Sequence, residues 1–541
     1  MIKEISNLYY LENFNILIDF IEQHYKQILN KDVLAFIKSF QKMPENAQQL
    51  FVRILSRKKE GVRRSKLNYQ EILNVSDALN ILSENNLIII NDLNSITNLL
   101  NMFTKPELAV FCENSLEIKN LKKDDIVEHL LDAYDEAILL KKIFEFDSVI
   151  KVNVEYECSV IKLLFFGNSY QDLSEFVISK LGHIKYEQYE LNFDHFLFQN
   201  MAEINGYLAL NLISESVQEC IELKDSQKIN EISKTLIMSE FTKINNNKKY
   251  KVINKIAKYS EQNKNYEDAI SMYELSQRHP SQERLARIYH RLNEIDKSKE
   301  ICQKILKHSI NQNEIDFAEL FLNKLKGAKK SKFEVNKEEL WLNKESGKSV
   351  EILVANELNV SPEREVYFVE NKLFNALFGL WFWDIIFGTI SGAFINPFQR
   401  GPMDMFSEDF ILNRSSAITA RLKELQSEEE FTLKCCEVHK QKNGIANYFI
   451  DWKIIDEALI KLACKYIPMK DIKIIFTRLL KSIKENKSGF PDLISFDNNS
   501  YQLIEVKGPG DKLQPNQTRW MKYFQEKNIS AKVVHVKWNN D

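Results

Sequence analysis

Gly489-Phe490-Pro491-Asp492-Leu493-Ile494-Ser495-Phe496, Asp497-Asn498-Asn499-Ser500 and Tyr501-Gln502-Leu503-Ile504-Glu505-Val506-Lys507-Gly508-Pro509-Gly510 form the stretch that decides the C-terminal fold. It reads as two strands joined by a turn and ended by Gly508-Pro509-Gly510. Asn498-Asn499 suits a two-residue hairpin loop, which needs positive φ at its centre. That loop fixes a register. Asp497 pairs with Ser500, Phe496 with Tyr501, Ile494 with Leu503 and Asp492 with Glu505. Directly opposed side chains share a sheet face, with Cβ atoms roughly 4.5–5.5 Å apart. Strand alternation adds Lys507 to the face of Glu505.

Two facing carboxylates repel. A divalent cation between them removes the repulsion, since Mg²⁺ takes oxygen ligands at about 2.0–2.1 Å. Val506 points its side chain to the other face and leaves its carbonyl for the cation. A metal on Asp492 and Glu505 would polarise a phosphate and acidify a water. Lys507 would orient that water or offset charge on the phosphate. The bland alternative is a surface hairpin with a chance Asp and Glu. Downstream, Pro515 to Lys527 reads as a helix with Gln517 and Trp520, and Ala531 to Trp538 as a third strand. The resulting αβββαβ order is that of the PD-(D/E)xK nuclease core. Upstream, Glu370 reads as lying on an apolar helix with Leu373, Phe374 and Leu377 on its face. It is either a paired or metal-bound carboxylate or a partly exposed Glu favoured by the helix dipole. Asp384 falls on roughly the same face, with a structural role.

The 541 residues suggest about three or four domains at roughly 150 residues each. A net charge of −3 makes no whole-chain case for nucleic acid, so a basic surface must be local. Seven cysteines without a Cys-x-x-Cys pair argue against zinc fingers and disulfides and for a reducing compartment. The start carries no signal-peptide pattern. Leu373 to Ile390 is interrupted by Asn375 and Asp384, so it reads as a buried helix and not a membrane span. With 14 Gly and 10 Pro, and apolar spacings of three and four, most of the chain is helical.

Residues 1–95 read as a basic helical, winged-helix-like region. Arg53, Arg57, Lys58, Lys59, Arg63, Arg64 and Lys66 face only Glu60 in opposition, so they suit phosphate contact as well as plain solvation. Ser76 to Ile90 reads as helix then strand. Within residues 96–240, Thr104 caps a helix with Pro106 and Glu107 in its first turn, and Lys122-Lys123-Asp124-Asp125 starts another. The pair resembles the SAP motif, which would present Lys105, Lys122 and Lys123 to phosphates; an ordinary helix pair is the alternative. Residues 241–340 read as helix pairs, tetratricopeptide-like but with an offset of about 28. Such arrays scaffold; the other reading turns Arg278, Arg284, Arg287 and Arg291 toward DNA.

Taken together, these motifs resemble the Fanconi-associated nuclease family, which carries a VRR-NUC domain. The residues concerned are Gly489 to Leu493, Leu503 to Pro509, Asp511-Lys512-Leu513 with Gln517, and Glu370 with Leu377, Gly379-Leu380 and Trp383 to Phe387. The N-terminal Tyr9 to Phe14, Leu50 to Arg53 and Arg63 to Leu67 are similar too. The resemblance implies a structure-specific DNA nuclease that cuts near 5′ flaps, degrades from a 5′ end and serves interstrand crosslink repair with Mg²⁺ or Mn²⁺. It implies metal contacts from Glu370, Asp492, Glu505 and the Val506 carbonyl, catalysis by those three acids and Lys507, and a DNA contact from Gln517. It makes 341–541 the nuclease domain, with a helical insertion at about 388–488 that keeps the enzyme a monomer. A bacterial-type member would work in the cytoplasm beside the nucleoid, a eukaryotic one in the nucleus. Asn371 stands where the family usually has Gly. No Cys/His set fits a ubiquitin-binding zinc finger. The alternatives are a Holliday-junction resolvase on the same core and a non-catalytic DNA-binding scaffold.

Overall fold

The computed structural model describes residues 8–57, 61–92, 95–112, 120–169, 171, 184–276, 278–309, 311–327, 336–359, 364–497 and 500–539. The chain forms two compact units. The first is Met1–Ile184 with Phe198–Leu208; the second is Lys185–Leu197 with Ala209–Asp541. The structure is mostly helical, as expected. Among the described residues no helix is long and apolar enough to cross a membrane.

The first unit opens with helices Tyr9–Tyr25, Lys31–Lys42 and Glu45–Leu55. Phe36 and Phe40, one helical turn apart, meet Phe14 and Phe51 from the flanking helices in one aromatic cluster, with Phe14 and Phe40 4.9 Å apart. Asn30 caps the second helix by accepting from the Val33 amide at 3.0 Å. Helix Val75–Glu84 then leads into a strand, in the expected order. The sheet of this unit has strands β1 (Val62–Arg63), β2 (Ile88–Ile90) and β3 (Val149–Val152), in the order β1-β3-β2. β3 was not expected, and it crosses the division drawn at residue 95. Helices Ile96–Asn101, Lys105–Phe111, Lys123–Ala133 and Glu136–Phe146 therefore form an excursion between two paired strands. Thr104 starts the second of them as read from the sequence: its amide donates to Glu107 Oε2 at 2.7 Å.

In the second unit, helices Lys243–Gln262, Tyr266–Leu275, Ser281–Arg291, Ile295–His308 and Gln312–Leu325 pack as consecutive antiparallel neighbours. Lys264 and Asn293 take left-handed backbones (φ 62° and 64°) where helices turn back. The arginines of this region are engaged in protein contacts, against the reading that turned them to DNA. Arg284 pairs with the buried Glu261, Arg287 with Glu283 at 2.9 Å, and Arg278 with Asp409 at 3.1 Å; Arg291 lies 3.7 Å from Glu261.

The nuclease sheet has five strands: β4 (Lys337–Leu342), β5 (Arg364–Phe368), β6 (Leu493–Asp497), β7 (Ser500–Lys507) and β8 (Ala531–Trp538). Their order is β4-β8-β7-β6-β5, antiparallel from β5 to β7 and parallel from β7 to β4. β4 begins before residue 341, so the sheet reaches into the segment assigned to the repeats. Helix Val350–Leu358 covers one face, packing Leu353 and Val354 on Leu493, Ile504, Val506, Val534 and Val536. The other face carries Ile494, Phe496, Leu503 and Val533. They pack against helices Leu373–Trp381 and Pro515–Glu526 and the helices of the insertion, the largest core of the molecule. Close approach is set by two glycines. A Cβ on Gly379 would stand 2.7 Å from Phe449 Cβ. A Cβ on Gly489 (φ +92°) would stand 2.7 Å from the Asn516 carbonyl carbon.

Candidate active site

The site lies where β6 begins and β7 ends. The observed register pairs Asp497 with Ser500, Phe496 with Tyr501 and Ile494 with Leu503, as deduced from the chain. Residues 498 and 499, the loop on which that deduction rested, lie outside the described residues. Continued outward by one step from the Leu493–Ile504 pair, the same register sets Asp492 against Glu505. The two hydrogen-bond differently from a ladder pair. Asp492 Oδ2 accepts from the Val506 amide at 2.8 Å, while its backbone carbonyl accepts from the amides of Val369 and Glu370 at 2.9 and 3.0 Å. The N–H and C=O of a strand residue leave from one edge, so the Val506 carbonyl projects on the edge where Asp492 sits.

All three groups are removed from solvent: Asp492 is 7% exposed, Glu505 0% and Lys507 9%. Lys507 Nζ lies 2.8 Å from Glu505 Oε1. That contact is an ion pair by distance without hydrogen-bond alignment, and both Glu505 oxygens are buried without a hydrogen-bond partner. Burial pushes the Asp492 carboxyl up to about 6, against the pull of the Val506 amide and the Lys507 charge. Burial, reinforced by the Asp492 charge, pushes Glu505 up to about 8 despite Lys507. A buried carboxylate lacking hydrogen bonds is costly. A cation with oxygen ligands relieves that cost, so this pair fits a divalent metal.

Glu370 is placed differently from the expectation. It is exposed and sits in the turn after β5, ahead of the helix that starts at Leu373. The helix cannot extend back through Asn371, whose backbone is left-handed (φ 52°). Among the described residues no three His, Cys, Asp or Glu side chains form a metal-ligand group. The acids close around Asp492 and Glu505 as a pair, which feels the charge of Glu370. Asp492 also feels Glu351, in the first turn of helix Val350–Leu358. Sequence reasoning passed over Glu351. Its signal was an acid opening a short apolar helix just ahead of the strands, where the αβββαβ order puts the first helix against the sheet. Asp384 lies apart, exposed and paired with Arg421 at 2.7 Å.

The proposed DNA contacts divide. Arg63 is corrected: it is 4% exposed, paired with Glu107 at 2.7 Å and Asp147 at 2.9 Å, and stacked over Phe103 at 4.1 Å. A guanidinium so enclosed does not reach phosphate. Arg64, Lys66, Lys105 and Lys122 are exposed; Arg64 donates to Ser76 Oγ at 2.7 Å. Arg57 is exposed and donates to Tyr69 and the Lys66 carbonyl. Lys123 is half-buried, its ammonium on the Asn101 carbonyl at 2.8 Å. Lys58 lies outside the described residues. Gln517 is half-buried and accepts from the Gln514 amide at 2.9 Å, capping its helix.

Comparison with known proteins agrees with this geometry. A family profile described as "FAN1, HTH domain" matches residues 8–89, and one described as "VRR-NUC domain" matches residues 427–538. The "Fanconi-associated nuclease 1 homolog" of Pseudomonas aeruginosa is 29% identical over 98% of this chain and 96% of its own length. The homolog from Arabidopsis thaliana is 23% identical over 98% of this chain and 67% of its length. A crystal structure of "paFAN1 bound to 2nt 5'flap DNA with gap" superposes with a TM-score of 0.82 at 28% identity, covering 99% of both chains. The VRR-NUC match runs over β6, β7 and β8, takes in Asp492, Glu505 and Lys507, and makes the protein a DNA nuclease dependent on a divalent metal. Agreement along nearly the whole chain goes further: the chain carries the helix-turn-helix and VRR-NUC domains of the Fanconi-associated nucleases and is similar to them over 98% of its length.

Proposed function

We propose that this chain hydrolyses DNA at 5′ flaps and from 5′ ends, in the repair of interstrand crosslinks. The observation that carries the site assignment is the fully buried Glu505 carboxylate beside Asp492, whose oxygens accept no aligned hydrogen bond and have the Lys507 ammonium as counter-charge. Asp492, Glu505 and the Val506 carbonyl would hold Mg²⁺ or Mn²⁺, with Glu370 as the acid on the open side. When bound, the cation supplies Lewis-acid polarisation of the scissile phosphate. Lys507 leaves Glu505 for the phosphate and offsets charge that builds up there. Phe490, stacked on Trp520 at 4.1 Å, and Ile494 keep bulk water from the inner side of the acids.

The other parts position DNA. Arg57, Arg64 and Lys66 contact phosphates from the N-terminal region, and Lys105 and Lys122 do so from the SAP-like pair. The helices at 243–325 act as a tetratricopeptide-like scaffold. Gln517 contacts DNA from the first turn of its helix. The enzyme works as a monomer, in the cytoplasm beside the nucleoid. Labelled 5′-flap, fork and four-way substrates, assayed with and without Mn²⁺, test the reading. Flap cutting by monomeric protein is expected. Symmetric paired nicks in the four-way substrate by a dimer would assign a resolvase instead, and tight binding without cleavage a scaffold.

A further inference from the structure

Asn371 occupies a position that costs an L-residue backbone energy, with φ 52°. Asn and Asp tolerate the left-handed region better than other side chains because they bond locally. Here the side chain does more than satisfy itself. Its Oδ1 accepts from the Phe490 amide at 2.9 Å, across 119 residues of chain. The amide donor at Phe490 fixes which end of the side chain is oxygen. The other end, Nδ2, therefore points to Glu370 and lies 3.4 Å from its Oε1. The backbone of Asn371 is held in turn: Asn375 Nδ2 donates to the carbonyls of Asn371 and of Lys487, the latter at 2.8 Å.

Phe490 is two residues before Asp492, and its amide is buried. On the other side of Asn371, the amides of Val369 and Glu370 donate to the Asp492 carbonyl. The Asn371 side chain thus closes a loop of contacts: turn to Asp492 backbone, Asp492 segment back to Phe490, Phe490 to Asn371, Asn371 to Glu370. Remove the carboxamide and the β5–β6 ladder, the Asn375 bridge and the Asp492 carbonyl still join the two segments, but the Glu370 side chain loses its link through Asn371 to the Phe490 amide.

We propose that Asn371 is a positioning residue of the nuclease site, one that sets Glu370 and Asp492 relative to each other for a divalent cation. The proposal rests on the reading of Asp492 as a metal ligand. Asn371→Gly tests it, because glycine adopts this backbone freely and removes only the side chain. Mn²⁺ binding to the full chain without DNA, followed by electron paramagnetic resonance of free Mn²⁺, is the primary readout. The apparent Kd should rise about 3- to 10-fold, the span of one lost hydrogen bond. Half-saturating Mn²⁺ for flap cleavage should rise in step, with kcat at saturating Mn²⁺ within about 2-fold of the parent. Unchanged Mn²⁺ affinity in Asn371→Gly, with or without a lower Tm, overturns the proposal. Asp492→Asn separates the two claims. If it loses Mn²⁺ binding while Asn371→Gly keeps it, only the positioning role falls. If Asp492→Asn binds Mn²⁺ as the parent does, the ligand assignment falls and takes the positioning role with it.

Discussion

Asp492 uses its side chain where a strand would use its backbone: its Oδ2 accepts from the Val506 amide at 2.8 Å, just past the last ladder pair of β6 and β7. One carboxylate oxygen is spent on holding the acid against β7, and the other is left for chemistry. The acid's position is therefore tied to the residue that separates Glu505 from Lys507.

Substitutions at the site should cripple cleavage without unfolding the protein. Asp492→Ala and Lys507→Ala are each expected to lower Mn²⁺-dependent cleavage of a 5′-flap substrate by about 100- to 1,000-fold or more. DNA affinity, measured by anisotropy in EDTA, should change by less than about 3-fold. Full activity in either variant would remove that residue from the site.

Both acids should make the metal-free protein less stable at higher pH. In the folded chain they keep a proton at pH values where the unfolded chain, with carboxyls near about 4, has lost it. Their stabilising contribution is complete below about pH 4 and is lost as pH rises through about 6 for Asp492 and about 8 for Glu505. In EDTA, Tm should fall between pH 5 and pH 9. Mn²⁺ competes with the same protons, so its stabilisation should grow over that window. Glu505→Gln should flatten the metal-free profile; a profile as steep as the parent's would refute the assignment.

Arginines one residue apart should behave oppositely. Arg63→Ala strands the buried Asp147 and is expected to destabilise the first unit by about 3–5 kcal/mol. Arg64→Ala and Lys66→Ala should leave Tm within about a degree. Each should instead reduce the slope of log K against log[salt] for DNA binding by about 1.

Two acids should separate in the same way. Glu351→Gln, within the field of Asp492, is expected to lower cleavage at least about 10-fold at limiting Mn²⁺. Asp384→Asn, held by Arg421 away from the site, should stay within about 2-fold. Equal effects would show that nearness to the pair does not matter.

How far the chain was legible depended on whether the partner of each residue was near in sequence. The hairpin register could be counted from its loop, and Ala531–Trp538, rich in β-branched valines, was read as a strand to the residue. β4, Lys-Glu-Glu-Leu-Trp-Leu, is an edge strand whose charges mask the period-2 signal. β5 was not read from the sequence, and Glu370 was placed on the apolar helix that in fact starts three residues later, at Leu373. The break is made by Asn371, and its cause is a contact with Phe490 that no local pattern contains. Arg63 read as a phosphate ligand because its neighbours are basic; Glu107 and Asp147, which bury it, lie 44 and 84 residues on.

The strand order β1-β3-β2 has a consequence for how the protein is made. The two outer strands never touch each other; each pairs only with β3, which is the last of the three in the chain. As the polypeptide leaves the ribosome, β1 and β2 emerge with their hydrogen-bonding edges open, and they stay so until Val152 is clear of the exit tunnel. Until then Arg63 also lacks Asp147. The basic N-terminal region is thus born unfinished, and pairings between distant residues are slow to form. Nascent chains stalled before residue 149 should be cut readily by added protease between β1 and β2, and those stalled well beyond 152 should resist.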